Sequence, residues 1–425
     1  MSSLLYWLWL SSIEGIGAVT ASALIGHFGD PQKVHEANLY DLYSAIGTNR
    51  ADISKLENKS FSTAQKIMEA CSKIGCSIIT LHDDAYPDRL RNIYDPPLVL
   101  YIKGEMPLVD DEPVVAVVGS RTCTSYGLRT AEKLGYELAQ SGVLVSTGLA
   151  RGIDSAAAKG TIRAGGRVLG VIGSGLDVVY PPENRQLFRE VEKKGTLISE
   201  YPPGTKALPY HFPARNRIIS GLSLGVAVIE APIRSGALIT VERALEQGKD
   251  VFSLPGNVDA KSSEGSNALL REGAIPFMSA KDILSEYSEL FPDKIIDAST
   301  RQSIIENGNG DVLSNGAYPA GDGIFQSGNE GSEGAVNWDN EIKGIDNSPQ
   351  VEYIDLENIL SKLDGDEKKV AETIGQSLMH VDEIIVKSGL PAQNVLTALT
   401  MLEIGGSAIC ENGKNFRLKN DSGQF

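Results

Sequence analysis

The chain has 425 residues, enough for roughly two to four domains, and its four cysteines (Cys71, Cys76, Cys123, Cys410) form neither CxxC pairs nor a Cys/His ligand set. A disulfide-stapled module and a structural zinc protein are thereby excluded; the apolar start MSSLLYWLWLSS lacks a basic lead-in and is too short to span a bilayer, so an amphipathic first helix and a reduced cytoplasmic protein are expected. The net charge of −16 argues against broad nucleic-acid contact, yet it is uneven: residues 112–290 carry 20 Lys and Arg against 19 Asp and Glu, residues 1–111 carry 9 against 14, and residues 295–350 carry 2 against 9.

In chain order, residues 1–84 read as helical. The segment IEGIGAVTASALIGHFGDPQKV (13–34) has the form of a helix-hairpin-helix. Its Gly15–Gly17 turn either exposes N–H groups to a phosphate or lets two helices pack, and no Lys follows closely to favour the first. A Pro-broken stretch from residue 85 leads into a strand over Leu98–Ile102.

Residues 85–290 form the expected core, with 85–111 as an extended lead-in. Seven short apolar runs alternate with helical patterns: PVVAVVG, GVLVST, RVLGVIG, TLISE, LGVAVIEA, DVFSLP and AIPF. Continuous β-branched strands separated by helices predict an α/β fold, a doubly wound, Rossmann-like parallel sheet covered on both faces. Ligands of such sheets bind beyond the C-terminal strand ends, so the loops after each run are where function is sought. Residues 295–350, with 9 Gly and no sustained periodicity, read as an acidic disordered linker. Residues 354–420 have the order of a winged helix: Asp382 opens a helix, SGLP turns, and NVLTALTMLEIGG stands at the recognition-helix position. That helix holds Glu403 and no Lys or Arg, which favours a protein-interaction role over major-groove reading.

After the first run of the core, Gly119 and Ser120 allow a close backbone turn, Arg121 projects beyond the strand end, and the helix containing Tyr126 offers free N–H groups, a combination suited to phosphate. The pattern is no Walker loop. The second loop sets Arg151 before a helix that Asp154 would cap. The third, GSGLDVVYPPEN, contributes Gly173 and Ser174, but Val178 stands where a dinucleotide fingerprint needs its third Gly; no cofactor is expected. In HFPARNRIISGLS (211–223) Phe212, Arg215, Asn216 and Arg217 fall at a helix start, where the dipole disfavours cations. Ser235 and Gly236 open another helix behind Arg234. The recurrence of Arg at strand ends and helix starts reads either as a polyanion site or as pairing with Glu200, Glu230 and Glu242. Tyr126, Tyr180, Tyr201, Tyr210 and Phe212 interleave with these loops as stacking platforms for unpaired bases, or, for Tyr180 and Tyr201 before their prolines, as loop packing. The five histidines make no Ser/His/Asp or Cys/His constellation.

With VVGSRTCTSYG, TGLARGID, GSGLDVVYPPEN, FPARNRIISGLS, SGALITVERALEQGKDVFSLPG and EGSNALLREGA in this order, residues 112–290 closely resemble the DNA processing protein A (DprA, or Smf) family. The resemblance implies a non-catalytic protein that binds single-stranded DNA, self-associates as a homodimer, and places the RecA recombinase on incoming strands in natural transformation and recombination. It implies phosphate contact by Arg121 and base packing by Phe212. The family's usual Lys three residues before that Phe is replaced by Pro209, leaving Lys206 as the nearest cation, and Ala158 stands where many relatives have His. The self-association patch maps to Leu269, Leu270 and Ile275, residues that equally suit a core. More distantly, the core resembles nucleoside-monophosphate phosphoribohydrolases, with Arg234 and Glu242 at suggestive spacing but no PGG-type loop.

Overall fold

The computed structural model describes residues 3–46, 53–295, 363–375, 379–404, 407–411 and 415–418. The chain divides into two units, Met1–Gly323 and Ile324–Phe425.

In the first unit nine strands form one sheet: β1 (Ser77–Thr80), β2 (Val99–Gly104), β3 (Val114–Val118), β4 (Leu144–Thr147), β5 (Val168–Ile172), β6 (Thr196–Ser199), β7 (Gly225–Val228), β8 (Asp250–Ser253) and β9 (Ile275–Pro276). Their order is β1-β2-β6-β5-β4-β3-β7-β8-β9. Every pairing from β6 across to β9 is parallel, and β1 and β2 join antiparallel at one edge. All seven apolar runs are strands. β1 departs from expectation, lying inside the stretch that reads as helical; only four residues long, it has too little sequence to display an alternation of its own.

The period of two in β3 divides its side chains between two cores. Val114, Ala116 and Val118 join the cluster on one face, Val115 and Val117 that on the other, and all five are buried. Helices α7 (Ser125–Gln140) and α8 (Ile153–Arg163) cover the second face. They touch backbone to backbone, because a Cβ on Gly160 would lie 1.9 Å from the Glu132 carbonyl oxygen. Helices α9 (Arg185–Lys194), α10 (His211–Gly221) and α11 (Gly236–Glu246) contribute to the first face.

Among the described residues, five α-helices precede the sheet: α1 (Ser3–Ser12), α2 (Ala18–Phe28), α3 (Pro31–Glu36), α4 (Leu39–Ile46) and α5 (Ser62–Ile74). The first helix is not amphipathic as expected. Tyr6, Trp7, Leu8, Trp9 and Leu10 are all buried, because α1 is enclosed by α3, α5 and β2, and its residues share one continuous core with the sheet. At the Gly15–Gly17 turn, Gly15 has φ +87° and Gly17 caps α2 without a side chain. A short helix α6 (Asp88–Arg91) leads to β2, and α12 (Glu264–Arg271) and α13 (Ala280–Leu284) flank β9. None of the described helices is long and apolar enough to cross a membrane.

The second unit holds α14 (Gly365–Ile374), α15 (Val381–Ser388) and α16 (Ala392–Ile404), with β10 (Met379–His380), β11 (Ala408–Glu411) and β12 (Asn415–Leu418) in the antiparallel order β10-β12-β11. Among the described residues, three helices and the paired strands β11 and β12 around Val370, Ile384, Leu399 and Leu418 make a winged helix. Its α15 starts one residue before Asp382, whose N–H is accepted by the His380 ring. The acidic stretch from 296 to 350 lies outside the described residues.

Candidate nucleic-acid interface

The chain runs from β3 through β4 and β5 to β6, then returns to set β7 on the other side of β3. At such a reversal the loops beyond adjacent strands diverge and leave a crevice. A cleft of about 320 Å³ opens there, walled by the loop after β3, the start of α8, one side of α10 and the start of α11.

The loop after β3 is held tightly. A Cβ on Gly119 would lie 2.6 Å from the Ile153 side chain, so only glycine lets the strand end turn against α8. The Ser120 N–H donates to the Glu230 carbonyl at 2.7 Å, and the Ser120 hydroxyl accepts the Thr122 N–H at 3.2 Å. Arg121 is thereby projected outward, exposed, with its guanidinium carbon 5.2 Å from the centre of the Phe212 ring. Tyr180 lies against the same ring at 5.4 Å and is 44% exposed. These side chains, with Arg151 and Arg215, wall a second cavity of about 50 Å³ that shares Arg121 and Arg215 with the larger cleft. On the far wall Ser235 caps α11, accepting the Ala237 N–H at 3.3 Å, and no atom lies within 4 Å of a Cβ built on Gly236. Arg121 and Arg234 are exposed and have no ion-pair partner among the described residues.

The DNA recombination-mediator protein A family model matches residues 77–288, and the DprA winged helix domain matches residues 357–414. The DNA processing protein DprA of Streptococcus pneumoniae is 48% identical over 205 residues, which are 48% of this chain and 72% of that protein. Protein Smf of Synechocystis is 37% identical over 305 residues, 71% of this chain and 76% of its relative. The X-ray structure of the S. pneumoniae DprA superposes with a TM-score of 0.60 at 36% identity, covering 67% of this chain and 98% of that one. The chain belongs to the DprA/Smf family.

On this DprA/Smf fold the residues singled out by sequence separate into two groups. Gly119, Ser120, Arg121, Arg215, Asn216, Ser235 and Gly236 wall the larger cleft, and Phe212 walls the smaller cavity. Tyr126 and Lys206 are exposed but contribute to neither. Gly173 lies beneath the platform, its carbonyl bonded to the His211 ring at 3.1 Å, and Ser174 is buried, donating to the Val178 carbonyl at 2.8 Å. Neither is open to a ligand.

The helix-start arginines need correction. Arg217 is buried in an ion-paired network, its Nε 3.2 Å from Asp95 and its Nη2 2.7 Å from both Glu200 oxygens. Coulombic pairing offsets the helix dipole there, and no face is left for DNA. Arg215 is 3% exposed and donates to the carbonyls of Gly148, at 2.8 Å, and Val171. Burial pushes its pKa down to about 10, opposed by the nearby Asp154, and its Nε has no partner. Asp154 is no cap: it is the second residue of α8, buried, and accepts the Gly148 N–H at 3.0 Å, with burial raising its pKa. The start of α7 is not free either, since Thr124 takes the Gly127 N–H at 3.1 Å and Glu230 takes the Thr124 N–H at 2.9 Å and its hydroxyl. Arg151 pairs with Glu183. Tyr201 stacks on His211 at 3.9 Å and packs its loop. Of the proposed self-association residues, Leu269 is buried in the main core, whereas Leu270 and Ile275 are half-buried. Sequence reasoning does not find Asp154 as a wall of the cleft, because spacing alone does not tell a cap from a buried carboxylate.

Proposed function

We propose that this DprA/Smf protein binds single-stranded DNA without catalysing a reaction on it, and as a homodimer loads RecA recombinase onto incoming strands during natural transformation and recombination in the cytoplasm. The observation that carries the reading is the unpaired Arg121 guanidinium standing over Phe212 at the join of the two cavities. A cation beside an aromatic ring can grip a phosphate while a base packs on the ring, and it tolerates any sequence because every base has a π-face. Duplex DNA keeps its bases paired and offers no such stack. Family membership, and relatives named for DNA processing, support the same reading.

The phosphoribohydrolase alternative is not favoured. It rests on Arg234 and Glu242, and Glu242, the residue at the suggestive spacing, is exposed and outside the cleft wall. The deciding experiment titrates labelled single-stranded oligonucleotide at two salt concentrations with duplex competitor. It then follows RecA filament growth on strands pre-coated with single-strand-binding protein. Salt-sensitive, strand-selective binding with accelerated filament growth is expected. Binding without acceleration removes the loader role, and absence of binding removes the reading.

A further inference from the structure

The larger cleft lies to one side of the Arg121–Phe212 platform, and its chemistry differs from that of the smaller cavity. Two guanidinium groups without an ion-pair partner among the described residues, Arg121 and Arg234, stand at its rim beside the start of α11, an 11-residue helix whose first residue, Gly236, carries no side chain to block approach to the backbone. Arg215, only 3% exposed in the wall, keeps its Nε without a partner, although buried donors are nearly always satisfied. Beside it are Asp154, an acceptor, and Asn216, whose amide nitrogen donates to the Gly236 carbonyl at 3.3 Å. The cleft thus joins a cationic rim to a wall that holds the buried Arg215 and Asp154.

From this we infer that the cleft holds one nucleotide unit carrying a phosphomonoester, either a free mononucleotide or the phosphorylated end of a strand. The inference deepens the single-strand reading and rests on it only for the strand-end source. An internal phosphodiester carries one negative charge, which one guanidinium matches. A phosphomonoester above its second pKa of about 6 carries nearly two, which two guanidinium groups and a helix N-terminus match. A volume of about 320 Å³ is at the small end of the range for enclosed small-molecule sites and suits one nucleotide better than a run of them.

The test uses the full chain. Calorimetry compares deoxyadenosine 5′-monophosphate, deoxyadenosine and inorganic phosphate, and anisotropy compares one short oligonucleotide with a 5′-phosphate, a 3′-phosphate or neither. The mononucleotide is expected to bind at least about tenfold more tightly than the nucleoside, and a terminal phosphate to tighten the oligonucleotide several-fold. Arg234→Ala should lower the phosphorylated-to-unphosphorylated ratio, whereas Phe212→Ala should weaken all oligonucleotides together and keep the ratio. Equal binding of nucleotide and nucleoside, with no effect of a terminal phosphate, overturns the inference while single-strand binding stands. Inorganic phosphate as tight as the mononucleotide overturns the nucleotide assignment. Mononucleotide binding with no affinity for long strands upholds the site with the free nucleotide as source and overturns the single-strand reading instead.

Discussion

The guanidinium of Arg121, in the loop after β3, lies 5.2 Å from the ring centre of Phe212, in the first turn of α10, so two segments 91 positions apart in sequence form one surface. Removing either side chain should have a different signature. Arg121→Ala should lower single-strand affinity and flatten its log–log salt dependence by about 0.7 for each phosphate that is no longer neutralised. Phe212→Ala should cost about 1–3 kcal/mol per unstacked base with the slope nearly unchanged. Anisotropy titrations over a salt series separate the two, and identical slopes in both variants would contradict this division of roles.

Arg217 serves stability instead. Arg217→Ala leaves Glu200 and Asp95 facing each other without their shared cation, and breaking such a pair costs about 3 kcal/mol at the lower end of the usual range. A marked fall in the urea midpoint is expected. The salt slope of single-strand binding by the remaining folded protein should match that of the wild type, since Arg217 has no exposed face.

Leu269 and Leu270 adjoin in sequence but should respond differently. Leu269 is buried in the main core, so Leu269→Ala should destabilise by about 2–5 kcal/mol whatever the oligomeric state. Leu270 is half-buried, and Met278 nearby in sequence is 81% exposed. If self-association uses this segment, the Leu270→Asp, Met278→Asp variant sediments as a folded monomer. A variant that remains a dimer places the interface elsewhere.

Asp282 gives a pH dependence of defined sign. Its carboxylate accepts the N–H groups of Met278 and Ser279 at 2.8 and 2.9 Å at the start of α13, and these bonds hold its pKa below the ordinary 3.8. A depressed folded pKa contributes stability that is fully present above the unfolded value and is lost as pH falls through the folded one. Asp282→Ala should therefore melt below the wild type near neutral pH, and the difference should narrow once pH drops under about 3.8. Thermal melts followed by circular dichroism across that range test it.

The strands of the core are readable because each buried strand is a continuous β-branched run, a signal carried by neighbouring residues. β1 escapes because it is an antiparallel edge of four residues, and the burial of α1 on nearly every side escapes because it depends on α3, α5 and β2. For the loops, residue type indicates where Gly119, Ser120, Arg121 and Gly236 meet, since parallel strands deliver their C-terminal ends to one side of the sheet.

What the sequence by itself determined was therefore local and topological: alternating strand and helix, a Gly-Ser-Arg turn beyond a buried strand, a helix-rich flank and a winged-helix pattern. Which arginine faces solvent was decided by tertiary structure. Arg215, Arg217 and Arg121 are chemically identical, and only the approach of Asp95 and Glu200 to one, of the Gly148 and Val171 carbonyls to another, and of Phe212 to the third gives them different tasks. Charge and burial at a site depend on atoms brought there from distant segments, and their distances arise only when the sheet closes its two cores.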